Sequence, residues 1–449
     1  AIEDAKNAMT TAVYDGLNRR TSMSDPSRGS WSFTYNGFDE LRTQVDARAL
    51  TLTFQYDALG RASQRYWREP DGENIATGRC MMDSWTYDDV RGGLLTSEKR
   101  ERVSAIPGAT DCPTPSLERY ERTYDYSDPL KRVAGNTTSI TVGPAGTQAR
   151  AFTRYVRYDG YFGRVKQEVY PDGVSVYREY NDRGYAYRSG FSEDFFGYGD
   201  SRNKWLTQVV SMTELDQVSE LQFANNTHRR LTRYDASRGL PLEICVQVDT
   251  SACSKATDPV QTNLSGKTVD VAYRYDAYDN VIRQTQYGAR SPFPGGNNPG
   301  SVPFYEDFQY DSLMRLTQAQ VSFRIDGSPN VPVSYSYDAI GNLTTKSDYS
   351  ASNGYVYGTA AKPHQVTRVN LRGSGFTDYT YDGNGNLSRR TAYSGVPELR
   401  VYSDIDNLPL ATFNDSSGVA NGLRFRYGPD QQRYYQELKT SFVGGEPAS

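Results

Sequence analysis

Tyr337-Asp338-Ala339-Ile340-Gly341-Asn342-Leu343 and Tyr381-Asp382-Gly383-Asn384-Gly385-Asn386-Leu387 are two copies of one phrase, and an earlier copy reads Tyr56-Asp57-Ala58-Leu59-Gly60-Arg61. Each copy ends a run of alternating character. Leu52, Phe54 and Tyr56 fall on one face, as do Val333, Tyr335 and Tyr337, and a period of two marks a strand. The Asp side chain can bond the backbone ahead of it, and Gly four positions after the Tyr takes a positive φ without steric cost. Leu343 or Leu387 then opens a return strand. The phrase predicts a β-hairpin corner.

The corner recurs along the chain. Tyr followed by Asp or Asn stands at Tyr14-Asp15, Tyr35-Asn36, Tyr56-Asp57, Tyr87-Asp88, Tyr124-Asp125, Tyr158-Asp159 and Tyr180-Asn181. It returns at Tyr234-Asp235, Tyr275-Asp276, Tyr310-Asp311, Tyr337-Asp338 and Tyr381-Asp382, with weaker marks at Tyr402 and Tyr427. The first three marks are 21 residues apart and later gaps stretch to about twice that. A period of about 20–50 residues is the mark of a repeat architecture, in which each unit buries its face against its neighbours. Second turns close the same meander, as at Val169-Tyr170-Pro171-Asp172-Gly173-Val174, Pro70-Asp71-Gly72 and Asp326-Gly327. Residues 106–116 and 291–303, rich in Pro and Gly, read as excursion loops. Met212 to Asn225 reads as a long hairpin. Some copies lack the corner glycine. Asn18 and Asp279 tolerate positive φ, whereas Met314 does so at a cost, so a different turn is predicted at Met314.

The totals favour such a fold over a disordered or helical chain. Of 449 residues 37% are hydrophobic, but 36 are Tyr, about 8%; without them the apolar share is roughly 29%. Tyr must therefore carry much of the packing, since its ring is a large apolar body whose hydroxyl needs a partner. The formal charge of −4 and pI of 5.5 argue against a nucleic-acid partner. No run of 18 apolar residues occurs, so no transmembrane helix is expected. The start, Ala1-Ile2-Glu3-Asp4, has neither an initiator Met nor a signal peptide, which suggests a piece of a longer polypeptide. No composition shift divides the chain, so residues 1–443 are read as one continuous body with a tail at 444–449. Cys80, Cys112, Cys245 and Cys253 form no CxxC motif. Cys245 and Cys253 bracket a turn and are candidates for a disulfide staple; four free thiols are the other reading.

The pattern Tyr-Asp-x-x-Gly-Arg/Asn-Leu, from Tyr14 to Tyr427, resembles the Rhs or YD-repeat family. The similarity is strongest over Tyr355-Val356-Tyr357-Gly358, Lys362-Pro363-His364-Gln365-Val366-Thr367, the Tyr381 phrase, and Arg426-Tyr427-Gly428-Pro429-Asp430 with Arg433-Tyr434. The resemblance implies an all-β fold, a spiralling ribbon of YD-repeat hairpins forming part of a hollow shell. In bacterial members, among them the C components of insecticidal Tc toxins and the Rhs effectors, the shell encloses a C-terminal toxin domain. The related teneurins use a similar barrel for adhesion. The bacterial proteins carry a self-cleaving Asp-Pro-x-Gly-Leu-like segment after the repeats. None occurs up to Ser449, so neither autoproteolysis nor toxicity is expected of these residues.

Candidate chemistry is sparse. His228 reads as an exposed turn residue and His364 as a turn or packing residue. No Gly-x-Ser-x-Gly elbow appears. Gly266-Lys267-Thr268 lacks the first Gly of a phosphate loop, and Asp382, Asn384 and Asn386 imitate an EF-hand whose Gly and closing Glu are replaced by Leu387 and Tyr393. No catalytic residue, cofactor or metal is therefore expected. Trp31, Trp67, Trp85 and Trp205 are the rings to watch as exposed stacking platforms, against the more ordinary cross-strand packing. Arg65-Tyr66-Trp67-Arg68 reads as a solvated face. The leading expectation is a non-enzymatic shell segment of a secreted or cell-surface bacterial protein, whose partner is the C-terminal toxin domain of the same polypeptide or another shell component. The alternative is an adhesion or glycan-binding module whose partners are cell-surface glycans. A glycan hydrolase ranks third.

Overall fold

The computed structural model describes residues 1–71, 74–88, 92–106, 112, 118–142, 148–191, 205–223, 228–248, 267–287, 304–322, 330–359, 362–393, 398–415, 421–439, 442–443 and 446–447. Among these the regular structure is entirely β, without helix. Met9–Tyr14, Arg20–Asp25, Gly29–Tyr35, Leu41–Val45, Thr51–Tyr56 and Ala62–Asp71 pair antiparallel in sequence order, and the meander continues in that manner. Two compact units divide the chain, Ala1–Thr153 with Ser336–Ser449, and Arg154–Tyr335. In the first, Ser350–Tyr357 to Arg433–Lys439 form an eight-stranded sheet. In the second, Trp205–Met212 and Val218–Phe223 are the expected hairpin. The turns at Gly72 and Asp326-Gly327, the 291–303 loop, most of the 106–116 loop, and Gly266 lie outside the described residues.

Each residue of the corner phrase has one job. In corner 57–61 the Asp57 amide donates to the Arg61 carbonyl at 2.9 Å and the Gly60 amide to the Asp57 carbonyl at 3.0 Å. Asp57 Oδ1 accepts the amides of Leu59 and Arg61, and Oδ2 accepts Arg61 Nε at 2.6 Å. The same double acceptance recurs at Asp15, Asp276, Asp311, Asp338 and Asp382. Asp159 and Asp235 close corners one residue longer, onto Arg164 and Leu240. Against the opposing effect of burial, Arg164 and the amides of Phe162 and Tyr161 hold the Asp159 carboxyl at about 2. Gly60, Gly341 and Gly385 take φ of 75°, 88° and 86°.

Met314 takes φ of 60° in the same turn, with its amide 3.0 Å from the Asp311 carbonyl. The expectation of a different turn there is wrong. Strain of about 1–2 kcal/mol is outweighed by the Asp311 bonds to Leu313, Arg315 and the Arg315 guanidinium. Asn18 at 63° and Asp279 at 68° behave as expected.

The tyrosine explains why the ring must carry a hydroxyl. Tyr56 Oη donates at 2.9 Å to the carbonyl of Leu41, the first strand residue after the preceding corner. Tyr35 does this to Arg20, Tyr180 to Val165, Tyr234 to Val218, Tyr275 to Pro241, Tyr310 to Val281 and Tyr381 to Val366. Each corner is thus tied to the one before it. The corner arginine reaches the other way: Arg61 lies over the Tyr87 ring at 4.3 Å and Arg164 over Tyr180 at 4.4 Å, an attraction of the cation for the ring face. At the Tyr124-Asp125 mark the tie moves two residues. Tyr124 donates to Glu98 and Tyr126 takes the Leu95 carbonyl, while the Asp125 carbonyl accepts from the distant Ala134 amide.

Candidate functional site

Within the first unit, late corners dock on early strands and form a seam. The 338–342 corner meets the 4–8 turn: Lys6 Nζ lies 2.5 Å from Asp338 Oδ2, and His364, whose Nδ1 is 2.9 Å from Asn342 Oδ1, places its Nε2 3.9 Å from Asp4 Oδ2. The 382–386 corner meets the turns at 25–29 and 46–50. Asn384 Oδ1 accepts the Ala47 amide at 3.0 Å and its Nδ2 donates to Asp46 at 2.7 Å. This approach is backbone to backbone. A Cβ on Gly385 would stand 2.2 Å from the Ser27 carbonyl oxygen, and one on Gly383 2.4 Å from that of Ala47. Only glycine fits at either position.

The 404–408 corner enters deepest. Ile405 completes an apolar cluster with Leu50, Leu52, Trp67 and Met81. Beside it Arg65 takes both Asp406 oxygens at 2.9 and 2.8 Å and Asp83 at 2.6 Å. Arg100 pairs with Asp83 at 2.7 Å and with Asp406 at 3.0 Å. Arg48 donates to the carbonyls of Ser403 and Asp404 at 3.1 and 2.9 Å. Burial pushes the Asp406 carboxyl up, but Arg65 and then Arg100 outweigh it and hold it below its ordinary range. The 428–432 corner follows. Its Asp430 takes Arg122 at 2.6 Å, and Tyr434 packs on the Tyr120 ring at 4.8 Å. Glu118 pairs with Arg426; burial is again outweighed, here by Arg426, Arg79 and Arg102, and its carboxyl is held low. As the late corners advance along the chain, so do their early partners.

The seam is built of ion pairs, hydrogen bonds and an apolar cluster that hold late corners against early strands. Buried ion pairs add little net stability relative to apolar packing, yet breaking one is costly, so they specify register. The reading of Arg65-Tyr66-Trp67-Arg68 as a solvated face is overturned at two positions. Arg65 lies on the seam, and Trp67 is fully buried at 0% exposure, so it is no stacking platform; Trp31, Trp85 and Trp205 are half-buried. Charge alternation reads as solvent exposure unless a second charged surface is known to face it.

The remaining candidates are dispersed. Of the corner residues named from the sequence, Asp338, Gly341, Asp382 and Gly385 belong to corners of the seam. Tyr14, Asp15, Tyr56, Asp57 and Gly60 sit in early corners. Tyr158 closes the strand that crosses the unit boundary, with Asp159 just beyond it. Tyr234, Asp235, Tyr275, Asp276, Tyr310 and Asp311 are in the second unit; Tyr337 precedes the first seam corner, and Tyr381 the second. His228 is a half-buried strand residue rather than an exposed turn residue. Cys80 pairs with Cys112, which local spacing did not suggest across 32 residues. Cys245 is buried and disulfide-bonded; its expected partner Cys253 lies outside the described residues. Cys245 also borders an open cavity of 340 Å³ with Ser211, Glu220 and Glu243. The polar groups there are already engaged, Ser211 with Ser219, Glu220 with Arg229 and Glu243 with Arg233.

Hairpins tied corner to corner, with late corners seated on early strands, define an all-β ribbon of YD-repeat hairpins. No family model and no curated protein matches the sequence. Among solved structures, the chain is similar to the Photorhabdus luminescens Tc holotoxin pore, with a TM-score of 0.52 and 13% identity over 96% of this chain. The crystal structure of TcdB2-TccC3 is matched over 97% of this chain at 13% identity, with a TM-score of 0.49. The chain spans about a fifth of the length of the holotoxin chain, 21%. At this identity the likeness establishes the fold.

Proposed function

We propose that this chain is a length of wall of a hollow β-shell in a bacterial toxin-related polypeptide. It is non-catalytic, and the shell encloses or carries a C-terminal toxin domain. The observation that carries the reading is the seam. A ribbon whose late corners seat on its own early strands is built to wall off a space. The early corners still present their tips, with Leu17, Phe38 and Leu59 exposed by 67%, 86% and 76%. Ile405, in the seam corner that opens at Asp404, is instead buried at 4% because early strands cover it. In the complete polypeptide the next turn of ribbon covers the early row, and residues 1–443 run as one continuous body. The reading places the protein outside the cell.

Limited proteolysis of the complete polypeptide tests this. The toxin segment is expected to resist protease within the shell and to be cut when expressed alone. Equal digestion in both forms would refute the container role.

A further inference from the structure

Among the described residues, Asp404 is the one of the seam carboxyls Asp83, Asp404 and Asp406 with no ion pair shorter than 4.0 Å. Its Oδ1 accepts the Leu408 amide at 2.8 Å, while Oδ2 is buried without a hydrogen bond and stands 4.0 Å from Arg100 Nη1. Residue exposure is 1%. Two guanidinium groups, Arg65 and Arg100, face these three carboxyls, and both are already committed to Asp83 and Asp406. The other neighbours do not supply the missing charge. Arg48 pairs with Asp46 and Asp382. Glu69, itself paired with Arg79 at 2.7 Å, and the Tyr427 phenol bring no cation. An ionised Asp404 would be a buried charge offset only by the Leu408 amide and an Arg100 shared with two other carboxylates, which is unfavourable.

We propose that Asp404 is a proton-operated latch: protonated, it lets the 404–408 corner stay seated on the early strands, and its ionisation loosens that corner. Burial first, and then the Asp406 charge, push its carboxyl up to about 7. An exposed Asp releases its proton near pH ~3.9. Between those values the seated corner holds a proton that the open corner has lost. The contribution of the latch is therefore full below about pH 4 and is lost as the pH rises toward 7 and beyond. Linkage over that interval makes opening about a hundredfold easier at pH 8 than at pH 5. This concerns the seam alone and does not depend on what the shell encloses.

Hydrogen exchange of the 404–408 amides in the whole chain, corrected for intrinsic rates, tests the latch with Asp404→Asn as the non-titrating counterpart. Wild-type protection is expected to fall on the order of a hundredfold from pH 5 to pH 8, and that of the variant to stay nearly constant. An equal fall in both proteins would overturn the proposal. Should the variant not fold, infrared titration of the wild type decides. A protonated carboxyl band that persists at pH 6 and vanishes by pH 8.5 supports the latch; absence of that band at pH 6 overturns it.

Discussion

Replacing Gly385 by Ala and Gly341 by Ala separates two costs that usually arrive together. The two glycines have nearly the same backbone, with φ of 86° and 88°, so either alanine takes left-handed strain of about 1–2 kcal/mol. Their surroundings differ. A Cβ at 341 meets nothing within 4 Å, whereas one at 385 would lie 2.2 Å from the Ser27 carbonyl oxygen. No real Cβ sits so near a backbone atom, so the 382–386 corner must back away from the 25–29 turn. Overpacking of this kind costs about 1–3 kcal/mol more. The expected loss is therefore about 1–2 kcal/mol for Gly341→Ala and about 2–5 kcal/mol for Gly385→Ala, measured by urea unfolding at constant slope. Gly383→Ala, with no positive φ to strain but the Ala47 oxygen at 2.4 Å, should lose about 1–3 kcal/mol. Equal losses at 341 and 385, with none at 383, would refute docking of this corner.

Further outcomes follow from the corners and the seam. Tyr56→Phe should cost about 1 kcal/mol, because the Leu41 carbonyl loses its donor, while Tyr161→Phe, at a ring 94% exposed, should be neutral in the same unfolding assay. Met314→Gly relieves left-handed strain of about 1–2 kcal/mol against a backbone entropy cost of about 0.5–1 kcal/mol; thermal unfolding should show a small net gain. Arg100→Met strips Asp83 and Asp406 of a shared partner, and a loss of about 3–5 kcal/mol is expected. In acid, the carboxyls of Asp159 and of Asp128, which accepts the Leu130 amide and the Arg132 guanidinium in the 128–131 turn, are both held near 2 and should keep their turns until the pH falls from about 4 toward 2. Their contribution is present above the unfolded value and vanishes below the folded one, as carboxyl chemical shifts would show.

The corners were legible because their chemistry is local: an Asp, a residue tolerant of positive φ and a return strand lie within five positions. Met314 shows the limit of that logic, since the bonds around Asp311 hold a turn that residue preference alone would disallow. The tie from Tyr56 to Leu41 spans 15 residues, and no local rule distinguishes a hydroxyl with a fixed partner from a packing ring. The seam was out of reach altogether. Arg65 meets Asp406 across 341 residues, and Ala47 meets Asn384 across 337. What remained visible was the alternation at Arg65 and Trp67, which looks the same whether water or a second sheet lies opposite. Cys80 and Cys112 were hidden for a related reason, because nothing local joined them.

Zero-length carbodiimide coupling tests the seam most directly. Lys6 Nζ and Asp338 Oδ2 are 2.5 Å apart yet 332 residues apart in sequence, so mass spectrometry should recover their peptides joined by an amide. Recovery of the exposed Lys346–Asp348 link, whose partners stand 2.7 Å apart, without the Lys6–Asp338 link would contradict the seating of the 338–342 corner on the 4–8 turn.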